Sequence, residues 1–257
     1  MPISLPIRTR RISQQEFGAI AYDLMQHVFA IHNEFGRFFN EAIYKRELAA
    51  RMGGVAIEVP VTVTHGSFSA GYVLDVLVHE SGLFEFKSVD AIHPRHRAQT
   101  INYLLLADLG HAKIVNVRPE KVEHEFVNCS LRLDELRTPL ILENGWDNAI
   151  PGATVFKDTL NALITDWGSG LELSLYEGAL SHFLIGDCDV PVHGLSGRLG
   201  VQRMRLAAPD VAFKLTALTE RLEMFAIHVH RLLEHTSLKA ILWVNVTHRE
   251  IRFTTIQ

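Results

Sequence analysis

Apolar side chains fall at nearly every second position from Tyr72 to Val78 and again from Leu83 to Lys87, and Glu80-Ser81-Gly82 interrupts the run. Alternation of this kind, broken by polar and glycine residues, predicts a β-hairpin in which residues of like parity share a face. Leu74, Val76, Val78, Phe84 and Phe86 make one face, wholly apolar and expected in the core. The other face carries Val73, Asp75, Leu77, Leu83, Glu85 and Lys87. A turn centred on Ser81 would set Asp75 opposite Lys87 and diagonal to Glu85, within side-chain reach. A solvated face with ordinary cross-strand charge pairs is the plainer reading. Val73, Leu77 and Leu83 on the same face instead predict that it is covered. Carboxylates on a covered face are costly without a cation or metal to compensate them.

Around this hairpin the periodicity changes. Phe17, Ile20, Ala21, Leu24, Val28 and Ile31 recur at helical spacing, and Ser13 with Glu16 makes a capping box at the start. A second helix is expected from Phe39 to Met52, stopped by Gly53-Gly54, with Glu41, Tyr44 and Leu48 on one side. Residues 58–65 alternate as a strand. Pro94 opens a helix running to Leu109, in which Gln99 and Tyr103 share a face. Strands over 112–117 and 122–129 close the half. The succession of helix, helix, three strands, helix and two strands predicts an α/β layered domain.

At 257 residues the chain has room for one large domain or two small ones. Its net charge of -4 provides no global basic field, so nucleic acid could be met only through local patches such as Arg95-His96-Arg97. Two cysteines are too few for a disulfide framework. No stretch suits a signal peptide or a membrane span, so a cytoplasmic protein without membrane contact is expected. His228 and His230 lie two apart on a helix and cannot chelate together.

An Asp followed by Glu-x-Lys on the next strand resembles the PD-(D/E)XK nuclease superfamily. The flanks sharpen the resemblance. Ile31-His32-Asn33-Glu34-Phe35-Gly36 and Asn40-Glu41-Ala42-Ile43-Tyr44 look like the signature of the GxxExxY family, a branch of that superfamily. Asp75, Glu85-Phe86-Lys87, Gln99-x-x-x-Tyr103-Leu104 and Val115-Asn116-Val117 follow in the family's order. The first glycine of its motif is Phe38 here.

The resemblance implies a restriction-endonuclease-like mixed sheet flanked by helices, a nucleic-acid substrate (DNA ahead of RNA) and Mg²⁺ or Mn²⁺ as cofactor. Hard divalent cations take carboxylate oxygen. Asp75 and Glu85 would be the principal ligands, with the Phe86 carbonyl and helix-borne Glu41 completing the shell. Lys87 would orient water or stabilise charge building on the phosphate. Gln99 and Tyr103 would sit at the rim, and Arg95, His96 and Arg97 would contact nucleic acid. A catalytically silent binding module that keeps the nuclease fold is the alternative.

Trp167 to Leu180 aligns without gaps on Phe35 to Leu48, with Tyr176 on Tyr44. Val211 to Thr216 parallels Phe84 to Val89, and Trp243-Val244-Asn245-Val246 echoes the Val115-Asn116-Val117 strand. The parallels predict an internal duplication, a pseudo-dimer within one chain. Residues 1–137 would be the nuclease-like domain and 138–257 a degenerate repeat. On this alignment Glu41 becomes Leu173, Glu85 becomes Ala212, and Lys214 survives in the place of Lys87. Arg198, Arg203 and Arg205 are candidate phosphate contacts in that half.

Overall fold

The computed structural model describes residues 2–257. Its contacts divide the chain into two units. The first runs up to Thr64 and resumes from Ser69 to Leu133. The second takes His65–Phe68 and Asp134–Gln257.

The first unit contains β1 (Ile3–Ser4), α1 (Gln14–Phe35), α2 (Glu41–Arg51), β2 (Val55–His65) and β3 (Phe68–Val78) apart from His65 and Phe68 at their ends, β4 (Gly82–Lys87), α3 (Pro94–Leu106), β5 (His111–Asn116) and β6 (Glu123–Asn128). Ser13 caps α1 as its sequence predicts: its hydroxyl accepts the Glu16 N–H at 3.2 Å, and the Glu16 carboxylate accepts the Ser13 N–H at 2.8 Å. Asn40 caps α2 by accepting the Ile43 N–H at 3.3 Å. The apolar stripe of α1, with Tyr44 and Leu48 of α2, packs on Val76, Val78, Phe84 and Phe86. That is the apolar face read from the hairpin's alternation.

The strands form one sheet in the order β1-β2-β3-β4-β5-β6. β3 and β4 are antiparallel, whereas β4 and β5 run parallel and are joined through α3. The hairpin turns earlier than its sequence suggests. His79 and Glu80 take left-handed φ angles of 48° and 60°, and the register pairs Val76 with Phe84 and Leu77 with Leu83. Continued by one residue, this register places Asp75 opposite Glu85. The partner expected for Asp75, Lys87, is therefore displaced by two residues along β4, to Glu85.

The second unit contains β7 (Leu140–Glu143), α4 (Ala153–Trp167), α5 (Leu173–Phe183), β8 (Gly186–Gly194), β9 (Gly197–Ala208), β10 (Val211–Thr216), α6 (Leu222–Glu234), β11 (Ala240–Val246) and β12 (Glu250–Ile256). Its sheet order is β7-β12-β11-β10-β9-β8. Read from β8 to β12, the succession is that of β2 to β6, and the parallel pair joined through a helix recurs between β10 and β11. The additional strand differs: β1 lies beside β2, β7 beside β12.

Side-chain bonds repeat as well. The Tyr44 hydroxyl donates to the Gly36 carbonyl, and the Tyr176 hydroxyl to the Gly168 carbonyl. Asn116 Oδ1 accepts the Val89 N–H at 3.1 Å while its Nδ2 donates to the Val89 carbonyl at 2.8 Å. Asn245 does the same with Leu218, at 2.7 and 2.9 Å. These asparagines fix the correspondence of the strands. Lys87 pairs with Asn116, and Thr216 pairs with Asn245. Thr216 thus occupies the position of Lys87, and Lys214 that of Glu85. The alignment of Lys214 with Lys87, and of Ala212 with Glu85, is two residues out of register.

Candidate active site

The acidic face of the hairpin is covered only towards the turn, where Leu77 and Leu83 are buried and Glu85 is 2 % exposed, whereas Val73, expected under the same cover, is exposed. Asp75 is held from two sides. Its Oδ1 accepts a hydrogen bond from Lys45 Nζ at 2.8 Å and its Oδ2 accepts the Phe86 N–H at 2.9 Å. Lys87 Nζ donates to Glu85 Oε1 at 2.6 Å. Glu85 Oε2 is buried and has no hydrogen-bond partner. A buried carboxylate oxygen left without a partner is rare.

The electrostatics place Glu41 in the same cluster. Burial and the neighbouring Asp75 push its carboxyl above the ordinary range, opposed by Lys87, Lys45 and a hydrogen bond with the Ser88 backbone. Burial, reinforced by the Asp75 charge, raises Glu85 from 4.5 to about 7, with Lys87 opposing. Perturbed carboxyls in one cluster mark a candidate functional site. Three of the anticipated site residues, Asp75, Glu85 and Lys87, therefore stand together, and Glu41 couples to them.

Lys45 is a member that the sequence pattern did not single out. It is buried on α2, four residues after Glu41, and also approaches Glu58 at 3.5 Å. Burial works to lower its pKa, but the hydrogen bond and charge of Asp75 outweigh that and hold it raised. The i, i+4 spacing with Glu41, which places both on one helical face, is the signal that could have found it. Tyr44 of the same helix is buried in the core with Leu48, its hydroxyl donating to the Gly36 carbonyl.

On α3 the Gln99 amide donates to the Tyr103 hydroxyl at 3.0 Å, and Tyr103 lies edge-on to Tyr72 with ring centroids 6.3 Å apart. The anticipated basic patch does not form as a unit. Arg95 is an exposed residue, with Nε 3.3 Å from His96 Nε2. Arg97 pairs with both carboxylate oxygens of Glu125, one of them at 2.7 Å. His96 is buried, its Nδ1 accepting the His93 N–H at 3.1 Å. Burial and then the Lys87 charge depress its pKa, so it belongs to the flank of the cluster rather than to a solvent-facing phosphate patch.

The donor set fits a hard divalent cation. Both principal candidate ligands are carboxylates, the Phe86 carbonyl directly follows Glu85 in the chain, and the orphaned Glu85 Oε2 supplies an oxygen that nothing else uses. Among the described residues no three acidic, histidine or cysteine side chains converge to cage an ion unaided. Mg²⁺ tolerates this arrangement, because it keeps several waters and is commonly held by one or two carboxylates with substrate phosphate completing the shell. Among the described residues no helix is long and apolar enough to cross a membrane.

Residues 18–128 match the family model described as the PD-(D/E)XK nuclease superfamily. The two mixed sheets flanked by six helices are consistent with a restriction-endonuclease-like fold, and the matched span runs from within α1 to the end of β6. Neither a curated protein nor a solved structure matches the chain.

Proposed function

We propose that the first unit is a metal-dependent nuclease of the GxxExxY branch that hydrolyses phosphodiester bonds through Asp75, Glu85, Lys87 and Glu41. The match of residues 18–128 to a nuclease superfamily supports nuclease activity in general. The observation that carries the metal-dependent reading is the buried, unpartnered Glu85 Oε2 beside a carboxylate whose charge it feels. Asp75, Glu85 and the Phe86 carbonyl would hold Mg²⁺ or Mn²⁺, with Glu41 at the edge of the shell. When bound, such an ion supplies Lewis acidity and lowers the pKa of a coordinated water.

The chain's own groups do the positioning. Lys45 and the Phe86 N–H lock the Asp75 carboxylate in one orientation. Lys87, tethered to Glu85, carries a fixed positive charge toward the place where the phosphate accumulates negative charge. The Gln99–Tyr103 pair would support substrate at the rim. The likeness to the family points to DNA ahead of RNA as substrate.

One observation favours a silent module instead: Lys45 and Lys87 already neutralise Asp75 and Glu85 without a metal. The deciding experiment is a cleavage assay on single- and double-stranded DNA and RNA with Mg²⁺ or Mn²⁺, wild type beside Lys87→Ala. Metal-dependent cleavage that disappears in Lys87→Ala supports the nuclease. Cleavage that persists in excess chelator overturns the metal mechanism, and no cleavage on any substrate leaves the silent module.

We read residues 138–257 as a degenerate copy of the nuclease-like domain. The shared strand succession and the repeated tyrosine and asparagine bonds support this.

A further inference from the structure

The second unit reverses the charge of the position that matters most in the first. Asn245 sets the register there, and it puts Lys214 where Glu85 stands. Carried on from the Ala212–Leu206 pair, the register brings Met204 opposite Lys214, as Asp75 stands opposite Glu85. Leu173 begins α5 where Glu41 begins α2. No acidic side chain is left at any of the corresponding positions.

Around Lys214 lies a cleft of about 570 Å³, whose lining includes Gln202, Arg203, Met204, Arg205 and Asp187. Its cations divide into two kinds. Arg205 is committed to the unit itself, bonded to Glu177 at 2.9 Å and near Asp187 at 3.9 Å. Lys214 and Arg203 are exposed, and among the described residues neither side chain has an acidic partner, although Asp189 lies across the strand pair from Arg203. Two uncommitted cations in a cleft beside amide and apolar surface suit an oxyanion. A lysine binds phosphate as a point charge and an arginine as a planar fork.

We infer that this cleft is a metal-free phosphate site that binds the backbone of a nucleic-acid strand, the ammonium of Lys214 taking the electrostatic place that a divalent cation would take in the first unit. The identity of the ligand rests on reading the first unit as a nuclease, whereas the anion site rests on the second unit alone. Binding here needs no carboxylate and no metal.

The test uses the full chain with Glu85→Gln, which prevents turnover, in excess chelator. Binding of fluorescent single-stranded and duplex oligonucleotides is followed by polarisation over a salt series. Adding Arg203→Glu and Lys214→Glu should weaken binding at least tenfold at low salt. It should also flatten the dependence of log K on log salt by about 0.9 for each duplex phosphate that the protein no longer neutralises. A second variant, Arg231→Glu with Arg249→Glu, changes net charge equally on exposed positions outside the cleft. It should lose much less affinity. An equal loss in both variants overturns the site in favour of bulk charge, and so does no loss in either or no binding in chelator.

The two readings fail separately. Metal-dependent cleavage by the wild-type chain with cleft-independent binding sinks this inference and leaves the nuclease standing. Cleft-dependent binding without cleavage under any metal does the reverse. Thermal melting of each variant guards against misfolding, which the exposure of all four positions makes easy to avoid.

Discussion

Asp75 and Lys45 show how much of the site rests on a single buried contact. Both side chains are largely covered, 13 % and 6 % exposed, and among the described residues the Lys45 ammonium and the Phe86 N–H bond the carboxylate and balance its loss of water. Removing one member of a buried ion pair strands the other, at a cost of about 3 kcal/mol or more. Lys45→Met should therefore lower stability by that order in urea unfolding, and also reduce metal affinity by releasing Asp75. A variant as stable as wild type would mean that Asp75 is solvated. Glu85 gives a pH signature. Its carboxyl is raised from 4.5 to about 7, chiefly by burial, so in metal-free protein the native state holds its proton longer than the unfolded chain does. The unfolded state then releases protons first, and stability falls as pH rises from about 4.5 through about 7. Glu85→Gln should match wild type near pH 4 and exceed it at pH 8, by up to about 3 kcal/mol. Equal stability of the two proteins at pH 8 would show that the carboxylate is not desolvated. Asp75, Glu85 and Lys87 could be found by strand parity because period two decides which side chains share a face. Lys45 could not be found that way. A lysine on a helix is ordinarily a solvated residue; the i, i+4 spacing puts this one on the face of Glu41, and the fold then buries it against Asp75.

At the scale of elements, turns were harder to place from the sequence than strands. Gly82 reads as part of the hairpin turn, yet it is the first residue of β4, and its small size serves packing. A Cβ there would come within 3.2 Å of both Ile20 and Phe84 side chains. The left-handed turn positions are instead filled by His79 and Glu80, residues that turn statistics do not favour. The same limitation shifted Lys214. Phe-Lys occurs at 86–87 and at 213–214, so matching by residue type joined the wrong phenylalanine, whereas the strand register aligns Phe213 with Phe84. The asparagines that fix this register are testable. Asn116 and Asn245 are each buried and each bond both backbone groups of the residue two beyond the strand, Val89 and Leu218. Replacing either by alanine leaves a backbone N–H and C=O to find other partners, a loss of about 2 kcal/mol. The two substitutions should therefore destabilise by similar amounts. If only one of them does, the corresponding bonds are a coincidence of geometry rather than a shared inheritance of structure.

For the whole molecule, the decisive quantity is where charge is placed, since the net value of -4 is spread over two units of different chemistry. In the first, buried carboxylates balanced by Lys45 and Lys87 form a site that a divalent cation would strengthen by relieving carboxylate repulsion. On the reading of the second unit as a degenerate copy, Leu173, Met204 and Lys214 would stand at the equivalent positions, and a cation entering there would meet an ammonium instead of a carboxylate. Ligands that bind only the native state stabilise it by mass action, and they protect locally the elements they bridge. Mn²⁺ or Mg²⁺ should consequently slow amide exchange in residues 82–87 of β4, the Phe86 N–H above all, because release of the Asp75 carboxylate becomes rarer when metal also holds it. Residues 211–216 of β10 should exchange at the same rate with and without metal. Exchange mass spectrometry on the full chain reads both strands in one experiment. Metal-dependent protection of β10 would contradict the register that puts Lys214 at the position of Glu85. Its absence from both strands would mean that Lys45 and Lys87 outcompete the ion.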